Sequence, residues 1–150
     1  MFLSQRGWGQ SPAAKLRRSV DMALELGART VVVHPPFRWQ YKYARQFQEQ
    51  VRELSETTGV TIAVENMYPW RGGKREFQAY LPGWDPAEHD YDAVTLDLSH
   101  ASVAQQDSLT LLHTFGDRLR HVHLADGNFG ARDEHLVPGR GSMQAEKVLQ

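Results

Sequence analysis

The chain has 150 residues, the length of one domain, and its 41% hydrophobic content with four Trp, five Tyr and six Phe excludes a disordered chain. No apolar run approaches the roughly 20 residues that cross a bilayer, no signal-peptide pattern opens the chain, and the lack of cysteine fits a cytoplasmic location and leaves only His, Asp and Glu as metal ligands. The net charge of −1 hides a basic first half, twelve Lys/Arg against six Asp/Glu, and an acidic second half, five against twelve; the basic residues are spread along helical segments, which speaks against a nucleic-acid surface.

Ser11-Pro12 is a helix start, with Pro at the first helical position. Leu16, Val20, Ala23 and Leu24 follow on one face, and Gly27 is the stop. The apolar run Thr30–His34 is the first strand. Tyr43, Phe47, Val51 and Leu54 make the stripe of a second helix that ends at Gly59. The second strand is Val60–Glu65. A long segment, Asn66 to Asp92, then holds Tyr68, Trp70, Phe77, Tyr80 and Trp84. Its length points to function and its aromatic content to packing, so it is expected to form a lid. The third strand is Ala93–Leu98, followed by a helix from about Asp107 to Phe115. The fourth strand is Leu119–Ala125, and a last helix begins near Ser142. Strands alternating with helices mean βα units and a parallel sheet.

The polar residues fall at the strand ends. His34 ends the first strand and Glu65 the second. Asp97 ends the third with His100 just beyond, and His123 ends the fourth with Asp126 just beyond. In parallel α/β folds the C-terminal strand ends line the ligand site. Each residue alone has a structural reading: a strand cap for His34, a salt bridge for Glu65 or Asp97, a solvent-facing helix start for His100. Their placement at all four strand ends points to one metal site, and a mixed N/O set suits Zn, Mn, Co or Mg. His121 shares a face with His123 and is expected in the core or barrel interior. His89 and His113 are expected on the surface.

In this order, Val-Val-Val-His-Pro-Pro, Ile-Ala-Val-Glu-Asn-Met, Leu-Asp-Leu-Ser-His, His-Val-His-Leu-Ala-Asp and Asp-Glu-His-Leu-Val-Pro-Gly-Arg-Gly resemble the xylose-isomerase-like TIM barrels. That superfamily includes sugar phosphate isomerases/epimerases and the endonuclease IV type of DNA-repair nuclease. The resemblance implies an α/β fold in which the four strands are about strands four to seven of a (β/α)8 barrel. A full barrel takes about 250 residues. The chain is therefore expected to be a single partial-barrel domain, a truncated chain or a half-barrel without its first and last units.

The isomerase/epimerase branch implies a divalent metal held by Glu65, Asp97 and His123, with a fourth ligand, a Glu on strand eight, that has no counterpart here. Its chemistry is proton transfer through an enediolate, with Glu65 as one catalytic carboxylate acting on a sugar or sugar phosphate. His100, Arg140 and Trp70 are candidates for binding substrate. Glu76 and Glu134 are candidates to replace the missing carboxylate, and without one the chain alone is expected to turn over poorly. The nuclease branch implies three zinc ions held within this span by His34, Glu65, Asp97, His100, His123, Asp133 and His135. The absence of a basic stripe weighs against that DNA-cleaving alternative. A further alternative is an inactive fragment or half-barrel that pairs through exposed sheet edges with a second copy or another chain.

Overall fold

The computed structural model describes residues 11–73 and 75–150. Helix α1 (Pro12–Leu26) is capped by the Ser11 side chain, which accepts from the Ala14 N–H at 3.2 Å, and ends at Gly27 in the left-handed conformation. It buries Leu16, Val20 and Ala23, whereas Leu24 is exposed. The expected apolar stripe is thus narrower than its sequence, because Leu24 falls on the flank turned from the sheet. Strand β1 is Thr30–Val33, so His34 sits just past its end.

The second expected helix is two. A short α2 (Tyr41–Ala44) stops at a turn, and α3 (Phe47–Thr58) carries the buried Phe47, Val51 and Leu54 to the stop at Gly59. Strand β2 (Thr61–Glu65) follows. In the segment from Asn66 to Asp92, Met67, Ala79 and Tyr80 are buried, strands β3 (Trp70–Gly72) and β4 (Arg75–Phe77) pair as an exposed hairpin, and a 3-10 turn follows at Pro86–Glu88. Met67, Ala79 and Tyr80 form a small second core there, with Phe37 and Trp84 against it.

Strand β5 (Val94–Asp97) leads directly into helix α4 (Leu98–Val103), which agrees with the structural reading of His100 as part of a helix start. Asp97 is its N-cap. Helix α5 (Ser108–Phe115), capped by Asp107, precedes β6 (Leu119–His123). The last helix, α6 (Ala145–Val148), starts three residues later than expected.

The main sheet is parallel, in the order β1-β2-β5-β6, as a segment of a barrel requires. Its outer face packs on α1, α3 and α5 through Val20, Phe47, Ile62, Leu96 and Phe115, all essentially solvent-free. Each such side chain contributes about 1.5–3 kcal/mol by leaving water. His34, Glu65, Asp97 and His123 therefore lie at the C-terminal ends of four neighbouring strands of one sheet. Two histidines depart from expectation. His121 is exposed, because among the described residues nothing covers the inner face of β6 at its start. His89 is half-buried, with a buried Nε2 that has no hydrogen-bond partner among the described residues.

Candidate metal centre

Glu65 and Asp97 form the floor. Both are apolar-strand residues by position, and both are almost fully buried, at 2% and 1% exposure. Asn66 fixes them relative to each other. Its side-chain oxygen accepts the Asp97 N–H at 2.6 Å, and its amide donates to the Asp97 carbonyl at 3.0 Å. An amide side chain thus continues the ladder beyond the last pairing of β2 with β5.

The histidines stand around these carboxylates. His123 Nδ1 lies 2.8 Å from Glu65 Oε1 and 3.2 Å from Asp97 Oδ2. The register that pairs Asp97 with His123 across β5 and β6 sets this contact. His34 Nε2 lies 3.0 Å from Glu65 Oε2. His100, a candidate ligand and substrate contact whose structural reading is a solvent-facing helix start, is buried in the first turn of α4, whose N-cap is Asp97. Its Nδ1 is 2.9 Å from the Asn66 carbonyl and 3.3 Å from Glu65 Oε1. A neutral ring that donates Nδ1–H to that carbonyl leaves the Nε2 lone pair facing outward.

That Nε2 meets Asp133 Oδ2 at 3.3 Å, and the same oxygen lies 3.0 Å from His135 Nε2. Ser99 completes this corner. Its hydroxyl donates to Asp133 Oδ1 and accepts the His135 N–H at 2.9 Å. Two ligand groups result: Glu65, Asp97 and His123, and His100, Asp133 and His135, each with donor atoms within 4.8 Å of one another. His100 bridges the two.

The electrostatics follow from this crowding. Burial alone would raise the Glu65 carboxyl, but His100, His123 and His34 hold it far below the usual carboxylate range. Burial would likewise lower His100, yet Asp133 and Glu65 push it up to about 10. Asp97 and Glu65 push His123 up to about 10. Asp133 is brought down to about 2, with burial opposed by bonds from His100 and Ser99. Without a metal, protons on the imidazoles balance the carboxylates. Two buried carboxylates that share one imidazole nitrogen are a donor set suited to a divalent cation, which would replace those protons.

Of the other sequence candidates, Trp70 belongs to an aromatic wall. Phe37 stacks on Trp39 at 4.4 Å between ring centres, and Trp70 lies 6.0 Å from Trp39 and 6.5 Å from Tyr80. Arg140 is exposed, and no side-chain partner joins it to either ligand group among the described residues. Glu76 is paired with Arg71 at 2.8 Å, and Glu134 accepts the Asn128 N–H at 2.9 Å. Asp126, next in line after His123, is turned into backbone amides and away from the ligands.

Tyr68 is a site residue that the sequence reading passed over. Its ring meets the His100 ring edge-on at 5.2 Å, and burial together with Asp133, Tyr80 and Asp97 raises its phenol. Asn66 and Ser99 were passed over too. A polar residue directly after a strand-end carboxylate, and a Ser within Asp-Leu-Ser-His, were the only signals available.

A family model of xylose isomerase-like TIM barrels matches residues 4–150. An uncharacterized protein of Mycobacterium leprae (strain TN) is 44% identical over 169 aligned positions, covering 100% of this chain and 60% of the relative. A fructoselysine 3-epimerase of Shigella flexneri is 22% identical over 161 positions, covering 100% of this chain and 57% of the relative. The crystal structure of a D-tagatose 3-epimerase-like protein superposes with a TM-score of 0.67 at 27% identity, over 91% of this chain and 55% of that one. The chain thus spans little more than half the length of the proteins it matches. The family match and the parallel four-stranded sheet agree: the chain belongs to the xylose isomerase-like TIM-barrel family.

Proposed function

We propose that this chain carries the metal-binding half of a sugar isomerase or epimerase site. One divalent cation (Mn, Mg, Co or Zn) is held by Glu65, Asp97 and His123, and a sugar or sugar phosphate is the substrate. The observation that carries the reading is the convergence of two buried carboxylates and an imidazole within 4.8 Å at the strand ends. The similarity to proteins described as epimerases supports the same class. A cation bound there supplies Lewis-acid polarisation of the substrate carbonyl.

The chain's own residues do the rest. Glu65, nearly dry and kept ionised, is the base that takes the proton from the carbon beside that carbonyl. His100 and Tyr68 offer hydrogen bonds to substrate hydroxyls, and Trp70 with Trp39 offers an apolar face to the sugar ring. One carboxylate can remove and return a proton on one face only. Inversion needs a second group on the other face, and Glu76 and Glu134 are both engaged elsewhere.

The test follows from that asymmetry. The chain is incubated with Mn²⁺ and free or phosphorylated ketohexoses in D2O, and deuterium uptake is read by NMR. The expected result is slow, metal-dependent exchange beside the carbonyl with little inversion, abolished in Glu65→Gln. Exchange that persists in Glu65→Gln would overturn the role of Glu65.

The His100, Asp133 and His135 group favours a second reading, a multi-zinc phosphodiesterase of the endonuclease IV type. Two or three zinc ions per chain, with cleavage of a duplex containing an abasic site, would establish it in place of the first. Self-association through the edge strands β1 and β6 is a separate proposal. Sedimentation that shows a stable monomer would refute it.

A further inference from the structure

Asp126 carries a carboxylate that no part of the proposed chemistry uses. It is 1% exposed. Its Oδ1 accepts the N–H groups of Gly127 and Met143, and its Oδ2 those of Gly139 and Gly141, all four at 2.9 Å. An ionised carboxylate offers about four acceptor sites, so this one is fully used and has none left for a cation. Burial opposes its ionisation, and the four amides outweigh burial and hold it below the ordinary carboxylate range.

The amides come from both ends of one excursion of the chain. The Asp126 carbonyl also accepts the Leu136 N–H at 2.9 Å, and Gly127 and Ser142 are joined at 2.8 Å. Residues 127–135 therefore leave from Asp126 and return to it, and residues 136–143 fold over the same carboxylate. Gly141 is pressed against it: a Cβ there would collide with Asp126 Oδ1 and the Gly127 backbone.

The first of these loops carries Asp133 and His135. Little apolar packing holds it, since Phe129 in the loop and Leu124 and Val137 at its ends are exposed. Polar contacts anchor it as well: Ser102 of α4 accepts the Phe129 N–H at 2.7 Å, Ser99 accepts that of His135, the Gln105 amide donates to the Phe129 carbonyl, and the Ser142 hydroxyl donates to the Asn128 side chain at 3.5 Å. His135 sits at φ +45°, a conformation that costs about 1 kcal/mol or more and persists only where the surroundings impose it. We infer that Asp126 is a positioning residue: its four-amide clasp closes the neck of the 127–143 excursion, of which the 127–135 loop is the first part, and thereby holds Asp133 and His135 against His100. This rests on reading that group as part of the site, so the test reads side-chain position in the metal-free chain and needs neither activity nor bound metal.

Asp126→Asn keeps the shape but turns one acceptor oxygen into a donor that faces two N–H groups. Gly141→Ala pushes the same clasp apart with the carboxylate intact. In the full chain, hydrogen exchange at the clasped amides should quicken about tenfold or more in both variants. The ring resonances of His135 and His100 should shift or broaden, while those of His123 and the amides of Glu65 and Asp97 hold their wild-type positions. Unchanged His135 and His100 resonances in a folded variant would overturn the inference. So would equal disturbance of the Glu65–Asp97–His123 group. If Asp126→Asn does not fold, Gly141→Ala decides by the same criteria. Failure of both variants to fold would make Asp126 a requirement of the fold itself and likewise overturn a positioning role.

Discussion

Replacing Asn66 with alanine removes the side chain that ties the strand of Glu65 to that of Asp97. Asn66 is fully buried, and it makes two hydrogen bonds to the Asp97 backbone, at 2.6 and 3.0 Å. In Asn66→Ala the Asp97 N–H and C=O face an apolar methyl group in a space closed to bulk water. A buried backbone group left without a partner costs about 1–3 kcal/mol. Two such groups imply a loss of about 3 kcal/mol, a large part of the roughly 5–15 kcal/mol typical of a domain. At about 2–4 °C per kcal/mol for a chain of this size, Tm should fall by about 6–12 °C. Asp97 also loses its alignment with Glu65, and loss of such an orienting contact weakens metal binding about 10–100-fold. Urea unfolding of the metal-free chain reads the first quantity, and Mn²⁺ titration by calorimetry the second. A stability loss under about 1 kcal/mol with unchanged Mn²⁺ affinity would refute the reasoning. It would mean that pairing with β6 alone holds Asp97 in place.

Stability of the metal-free chain should depend on pH from both sides. Asp133 has its ordinary value of 3.8 lowered to about 2, so its contribution is complete above about pH 4 and is lost as pH falls toward 2. His100 and His123 are raised from 6.5 to about 10, so theirs is complete below about pH 6.5 and is lost as pH rises through 10. Denaturant midpoints should therefore be highest between those limits, and His100→Gln should shrink the alkaline decline; an unchanged decline would contradict the assignment. Arg71 fastens the β3–β4 hairpin by donating to Glu76 at 2.8 Å and to the Val103 carbonyl at the end of α4 at 2.6 Å. Arg71→Ala should speed chymotryptic cleavage at Phe77 while lowering global stability by no more than about 1–2 kcal/mol, and an unaltered cleavage rate would show that other contacts hold the hairpin.

The strands were legible because a parallel sheet covered on its outer face demands β-branched runs, and Thr-Val-Val-Val and Thr-Ile-Ala-Val supply them. The meeting of carboxylates and imidazoles was legible because a carboxylate at the end of such a run needs a partner. Helix α4 showed only as a helix start at His100: six residues of Leu-Ser-His-Ala-Ser-Val hold too few turns to show a period, although Asp97 is a good N-cap. The hairpin escaped notice because its three-residue strands are wholly exposed and so lack alternation. His100 and Asp126 show a deeper limit. The sequence places both near the strand ends, but only the backbone path decides that one turns toward the carboxylates and the other into a ring of amides. His121, expected in the core or barrel interior, is exposed and so not in the core, since burial of a residue that shares a face with His123 depends on what stands across the barrel.

The central claim is that Glu65, Asp97 and His123 bind a divalent cation. The most direct test is elemental analysis of the chain after incubation with Mn²⁺ and gel filtration without chelator, beside the Glu65→Gln/Asp97→Asn double variant. The account predicts about one ion retained per chain and none in the folded double variant. Equal retention by both proteins, or none by either, would contradict it.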